Sequence, residues 1–251
     1  LQTVGGALPV QVQEPLQVCL AEAYLKQDNH IDAHKYLKQV LAQSPNNLDA
    51  RILLCEVHEK RGDFKQMAES VKEVTASLPA GDMRKVDLLR RAGAVTAEKL
   101  RDVEGGINLL KQALAIKEND RAILAELLKI YTASKNFNEL VEVILKIADQ
   151  VEDASQKVRY YISAAKVYRR EIGNINKAIL YFEKALDLNP QDPDANRAII
   201  ETLEQNMAWD KLELHYKKMI ARLPKDAAKE DRLIVLKPLF ELLSKKLKKK
   251  S

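Results

Sequence analysis

The stretch KAILYFEKALDLNPQD, Lys177 to Asp192, places Ala178, Phe182, Ala185 and Pro190 at steps of four, three and five. Steps of three and four bring side chains onto one face of an α-helix, and a proline just beyond ends it. The arrangement recurs. Counting back from each proline, Tyr24, Ala33, Leu37, Val40 and Pro45 mark one segment, and Leu54, Phe64, Val71, Val74 and Pro79 mark the next. Pro45 and Pro79 stand 34 residues apart, as do Pro190 and Pro224. A second period links KVDLLRRAGAV from Lys85 with KVRYYISAAKV from Lys157, 72 residues on, and Phe137 with Trp209 at the same offset. Ala, Leu, Lys and Glu dominate, aromatics are 5% of the chain, and there are only eight Gly and eight Pro, which favours helix over strand. The pattern predicts an all-α protein built from repeated helix pairs.

The remaining segments match with small edits. Residues 121–154 carry Leu127, Leu128, Tyr131, Phe137, Leu140, Ile144 and Ile147, with Glu152 in place of the closing proline. Residues 193–226 carry Ile199, Ile200, Leu203, Trp209, Leu212, Tyr216, Met219 and Pro224. Segments 86–120 and 158–192 hold one extra residue between their helices: Gly93 and Ala165 take the small slot of the first helix, Gly106 and Ala178 that of the second. This spacing resembles the tetratricopeptide repeat, a helix A, turn, helix B unit of about 34 residues. The resemblance divides the chain into a flexible leader over 1–13, repeats over about 14–47, 48–85, 86–120, 121–157, 158–192 and 193–226, and a capping helix with a lysine-rich tail over 225–251. It implies a right-handed α-solenoid of stacked antiparallel helix pairs. Small residues such as Ala21, Ala33, Gly93, Gly106, Ala165 and Ala178 would let paired helices approach, and Tyr24, Leu37, Tyr131, Tyr168 and Phe182 would fill the gaps. The large residue expected early in helix A is Gln17, Arg51 or Asn196 in several repeats, a departure from the family pattern.

After Pro224, Leu233, Leu236, Phe240, Leu243 and Leu247 fall at spacings of three and four, which predicts an amphipathic helix covering the last repeat. Pro238 should kink that helix or start it afresh. The formal charge of +5 equals the five lysines Lys245, Lys246, Lys248, Lys249 and Lys250, so residues 1–244 are neutral and the body is not basic. The alternative function is therefore a peripheral membrane or nucleic-acid adaptor acting through this tail.

No enzyme is expected, and no cofactor. His30 and His34 lie four apart near Asp28 and Asp32, but His30 takes the turn slot of Phe64, Phe137 and Trp209, a packing position, so no metal is assigned. Gly105 and Gly106 lack the Lys and Ser or Thr of a phosphate loop, and pairs such as Glu56 and Glu59 fit a solvated helix face. Cys19 and Cys55 have no metal or disulfide spacing and read as small buried residues. No apolar run spans a bilayer. A start at Leu1 is compatible with a removed signal peptide or an upstream domain; a cytoplasmic compartment is the expectation.

The resemblance places function on the helix A face, where similar proteins bind extended peptides or helices as scaffolds and adaptors. The corresponding groove positions are Glu22, Glu56, Glu59, Arg90, Lys129, Lys166, Arg169, Arg170, Arg197 and Glu201, with Val18, Ile52, Ala125, Ile162 and Glu204 beside them. The implied partner is a protein segment of acidic or mixed charge, drawn to Lys166, Arg169 and Arg170. One subfamily grips a terminal carboxylate; its positions here are Val18, Glu22, Leu53, Asp87 and Arg91, of which only Arg91 agrees.

Overall fold

The computed structural model describes residues 10–245, and every regular element among them is helical. The chain forms two compact units, 1–130 and 131–251. The first holds α1 (Val10–Lys26), α2 (His30–Gln43), α3 (Leu48–Arg61), α4 (Phe64–Ser77), α5 (Arg84–Glu98) and α6 (Val103–Ile116). The unit boundary falls within α7 (Arg121–Ala133). The second holds α8 (Phe137–Gln150), α9 (Ala154–Val167), α10 (Ile175–Leu188), α11 (Pro193–Gln205), α12 (Trp209–Arg222) and α13 (Lys229–Lys245).

Local chemistry sets the helix ends. Asn29, Asn47, Asp102, Asn174 and Asp192 each accept a backbone N–H of the helix they precede, at 3.2, 3.0, 2.9, 3.0 and 2.9 Å. Pro45, Pro79, Pro190 and Pro224 lie two residues past the ends of α2, α4, α10 and α12. The turns share a device the apolar pattern does not carry. Asp28, Gly62, Arg101, Lys135, Gly173 and Met207 all have φ between 51° and 76°, the left-handed region. Glycine adopts that conformation freely, yet only two of the six are glycine. The extra residue expected in two segments is absorbed differently in each: a longer turn, 99–102, follows α5, whereas a π-helical turn, Tyr168–Ile172, prolongs α9.

In the first unit, α1 packs on α2, α3 on α4 and α5 on α6, and α2 with α3 and α4 with α5 join the pairs. One core holds Ala21, Leu25, Ala33, Leu37, Val40, Ala50, Leu54 and Val57; the next holds Cys55, Met67, Val71, Val74, Leu88 and Ala92. In the second unit, α9 packs between α8 and α10, and α11 between α10 and α12, around Ala165, Ala178, Phe182, Ala185, Ile199 and Leu203. Tyr181 stacks on Tyr168 at 5.6 Å between ring centroids. Lys184 lies 5.0 Å from the Tyr181 centroid.

Three expectations are corrected. Residues 10–13 are not leader but the first turn of α1, which runs through Pro15; residues 1–9 lie outside the described residues. Cys55 is buried, but Cys19 is exposed, because it shares with Val12 and Leu16 the face of α1 turned away from Ala21 and Leu25. At the other end, α13 packs on α12 through Val235, Leu239 and Leu242, not through the expected stripe, of which Leu233, Leu236 and Phe240 are exposed, Leu243 is half-buried and Leu247 lies outside the described residues. It continues as one helix through Pro238. Of the lysine cluster, Lys245 pairs with Glu241 at 3.1 Å; Lys246, Lys248, Lys249 and Lys250 lie outside the described residues.

Two features make stability predictions. The helices α5 and α6 cross at Gly93 and Gly106, where a Cβ on Gly106 would stand 2.7 Å from the Gly93 carbonyl oxygen and 2.9 Å from the Ala97 nitrogen. Backbone cannot yield as a side chain does, so Gly106→Ala should lower unfolding free energy by about 1–3 kcal/mol in urea titration despite alanine's better helix propensity. An unchanged midpoint would show that the pair spreads without cost.

His215 on α12 is buried and neither ring nitrogen has a hydrogen-bond partner. Burial pushes its imidazole down to about 4, with Glu183 opposing and Arg222 and Lys218 assisting. Between about pH 6.5 and 4 the unfolded chain therefore binds the extra proton. The resulting stability is complete above that window and is lost as pH falls through it. Wild type should lose about 1–3 kcal/mol more than His215→Leu between pH 7.5 and 4.5, read as urea midpoints at each pH. Parallel losses would remove His215 as the cause.

Candidate functional site

The helix A face is built twice, by α1, α3 and α5 in the first unit and by α9 and α11 in the second. In both, much of its charge is consumed between neighbouring helices. The Arg91 guanidinium on α5 donates to Glu59 on α3 through Nε at 2.8 Å and also through Nη2, with Glu56 at 3.9 Å and Asp87 at 3.7 Å. Those carboxylates raise its pKa further against the opposing effect of burial. In the second unit, Arg169 Nη1 donates to the Ala198 carbonyl at 3.2 Å, Thr202 Oγ1 at 3.1 Å and Glu201 at 3.4 Å. Its guanidinium also lies 6.0 Å from the Phe182 ring centroid. Both bridges join residues 32 apart, as does Lys60 with Asp28 at 3.8 Å.

The helix B side of the second unit has its own ladder, 35 residues in pitch. Lys211 meets Asn176 at 3.4 Å, Lys218 meets Glu183 at 2.7 Å and Arg222 meets Asp187 at 2.8 Å, all from α12 to α10. Such exposed pairs contribute little singly, but they fix the azimuth at which one repeat sits on the next.

The groove residues expected from sequence therefore separate by task. Glu56 and Glu59 serve Arg91; Arg169 and Glu201 hold α9 to α11; Glu22 pairs with Lys26 at 2.9 Å, Arg90 with Asp87 at 2.7 Å and Lys129 with Glu126 at 3.2 Å. Arg170 and Arg197 are exposed. Lys166 lines a cleft of about 810 Å³ between α9, the end of α10 and the start of α11. Val158 and Ile162 form its buried floor, Ser155, Arg159, Ser163 and Lys166 one wall, and Asn189, Asp192 and Asp194 the other.

Most of this lining was missed in the sequence. Arg159 could have been found, since it precedes Lys166 by seven residues, two turns on one helical face. Asp192 and Asn189 could not, because a turn between helices carries no periodicity. A second cleft of about 810 Å³ lies between α4 and α6 on the helix B side of the first unit, lined by Ala68, Lys72, Ala76, Leu109 and Gln112 among others. No group of three or more His, Cys, Asp or Glu side chains converges as for a metal ion among the described residues. His34 instead lies 6.1 Å from His58 between ring centroids. Among the described residues, no helix is long and apolar enough to cross a membrane.

Comparison with known proteins identifies the repeat in two stretches of the chain. The tetratricopeptide repeat family matches residues 20–81 and, through a second of its models, 158–192. The chain therefore carries tetratricopeptide repeats in each of its two units. Solved structures share the fold at low identity. A MamA protein is 18% identical with a TM-score of 0.53, over 71% of this chain and 92% of that one. YrrB, a tetratricopeptide repeat protein with an unusual peptide-binding site, is 17% identical with a TM-score of 0.51, over 72% and 89%. A tetratricopeptide repeat protein from Parabacteroides merdae ATCC 43184 is 12% identical with a TM-score of 0.53, over 92% and 86%. No curated protein matches the sequence.

A tetratricopeptide repeat protein is in general a protein-interaction scaffold, and its partners are proteins. In this one, the Arg91 that agrees with the carboxylate-gripping subfamily already holds three carboxylates of its own chain. Arg169 is likewise structural. With its side chain only 14% exposed and three acceptors satisfied, Arg169→Ala should cost about 1–3 kcal/mol in urea titration, whereas Lys166→Ala should stay within about 0.5 kcal/mol. Equal effects would mean that the bridge to α11 carries no net stability.

Proposed function

We propose that this chain is a non-enzymatic scaffold or adaptor that holds a peptide or helix of a partner protein in the cleft between α9 and α11, without a cofactor. The six segments from 14–47 to 193–226 act as its repeats, and 225–251 caps them. The observation that carries the reading is the cleft itself: a floor of Val158 and Ile162 between exposed Arg159 and Lys166 on one side and Asp192 and Asp194 on the other.

The chemistry selects the occupant. An apolar side chain would seat on the floor, while acidic residues of the partner pair with Arg159 and Lys166 and basic residues with Asp194. Asp192 is less available, since one of its oxygens caps α11. The segment is therefore of mixed charge, and Arg170 and Arg197 extend the attraction for its acidic end. Peptide binding by the structurally similar YrrB supports the kind of occupant, not its sequence.

Affinity capture from lysate of the source cells, compared by mass spectrometry between wild type and Arg159→Glu with Lys166→Glu, tests the site. Both side chains are exposed and should tolerate the change with an unaltered melting curve. Partners held by the cleft should drop by at least about tenfold, because two like-charge contacts replace two attractive ones. Identical captures from the two proteins would overturn the assignment of the cleft.

A further inference from the structure

Two of the helix pairs share a device that α3 and α4 lack. Three residues beyond Ala21 and Ala33 stand Tyr24 and Tyr36, whose rings stack at 5.6 Å between centroids and 9° between planes. Three residues beyond Ala165 and Ala178 stand Tyr168 and Tyr181, stacked at 5.6 Å and 8°. Each stack fills the space between the two helices of its pair. In α3 and α4 the same slots, 34 residues on from Tyr24 and Tyr36, hold His58 and Ser70. Serine brings no ring. Its Oγ lies 3.3 Å from His58 Nδ1, and a cavity of about 270 Å³ opens against both residues. The pair α5 and α6 behaves alike: its slots hold Thr96 and Leu109, and both line the larger cleft between α4 and α6.

The cavity beside His58 is lined by charge as well as by apolar surface. Leu54 and Val74 form its buried floor, and Lys38 from α2, Arg51 from α3 and Glu73 from α4 stand around it. Arg51 departs from the large residue that the repeat pattern expects, and it precedes His58 by seven residues, two turns along one helical face. Its guanidinium is 3.8 Å from the Glu73 carboxylate, too far for a hydrogen bond, and Glu73 is itself exposed. Two cations therefore face one loosely held carboxylate. Burial, assisted by Lys38 and Arg61, lowers the His58 pKa against the opposing Gln66 backbone and Asp63, so at pH 7 the imidazole is a neutral flat ring.

We propose that this cavity binds a single aromatic ring carrying a carboxylate. The ring takes the place against His58 that the second tyrosine holds in the other two pairs, and the carboxylate pairs with Arg51 and Lys38. At about 270 Å³ the cavity is smaller than the sites that hold drug-sized ligands, which limits the guest to one ring. Both parts are required. A ring alone leaves the two cations unmatched, and a carboxylate alone leaves Leu54 and Val74 uncovered. The same chemistry is offered by a free aromatic acid and by an aromatic side chain of a partner protein beside a carboxylate.

Chemical-shift titration of the full chain with benzoate, acetate and benzamide, read at the imidazole C–H signals of His58, separates ring from charge. Benzoate should bind saturably with a Kd of about 0.1–5 mM, and acetate and benzamide at least about tenfold more weakly. Ser70→Tyr, which restores the stacked pair, should abolish benzoate binding, read by saturation-transfer signals of the ligand, with helicity unchanged. Arg51→Gln with Lys38→Gln should weaken binding at least about tenfold. An acetylated Glu-Phe-Glu peptide that displaces benzoate would trace the ring to a partner protein, and one that fails to displace it would trace the ring to a free acid. The proposal is overturned if benzoate up to about 50 mM gives no saturable shift, if acetate or benzamide binds as well, or if benzoate binding survives Ser70→Tyr.

Discussion

An amphipathic helix pair has one apolar face too many. When α5 closes on α6 through Gly93 and Gly106, the two helices bury their small-residue sides in each other, and Leu88 and Ala92 remain to be covered by Met67, Val71 and Val74 of the preceding segment. Each pair is thus complete only when a neighbour stacks on it, and the repetition follows from that deficit. Composition obeys the same need. Ala21, Ala33, Ala165 and Ala178 have no exposed surface, because any larger side chain would hold the paired helices apart.

Stacking by apolar contact alone leaves the angle between repeats soft. Here the polar bridges supply what the core does not. Arg91 to Glu59 and Arg169 to Glu201 span 32 residues between A helices, and the three contacts from α12 to α10 span 35 between B helices. A carboxylate or guanidinium used in this way is withdrawn from the recognition surface. What the helix A face can offer a partner in the second unit is the charge left over, basic at Arg159, Lys166, Arg170 and Arg197 and acidic at Asp194 and Glu204.

The sequence exposed those parts of the fold that repeat because they are packed. Ala178, Phe182, Ala185 and Pro190 could be read because a core slot tolerates few residue types and a proline has one backbone use. The left-handed turn residues could not be read. Asp28, Arg101, Lys135 and Met207 adopt a conformation usually left to glycine, held there by backbone bonds such as Asp102 N to the Thr96 carbonyl and Asn136 N to the Tyr131 carbonyl. Nor could sequence decide how an extra residue is absorbed, since a longer loop after α5 and a π-helical turn after α9 meet the same spacing. At the candidate site, Lys166 and Ile162 were legible from helical phase. Arg169 was legible as a helix A residue but not as a bridge, because its acceptors lie some thirty residues away on α11.

The terminal helix shows the limit of periodicity most clearly. Apolar residues at 233, 236, 240 and 243 satisfy steps of three and four as well as those at 235, 239 and 242 do, so the pattern announces a helix without saying which face is taken. Packing on α12 chose the second set. A cap that only shielded the last repeat would carry polar residues on its remaining surface, as capping repeats require for solubility. On α13 the residues beside the buried face are apolar instead, so packing on α12 covers only one of the two stripes that the sequence writes into this helix.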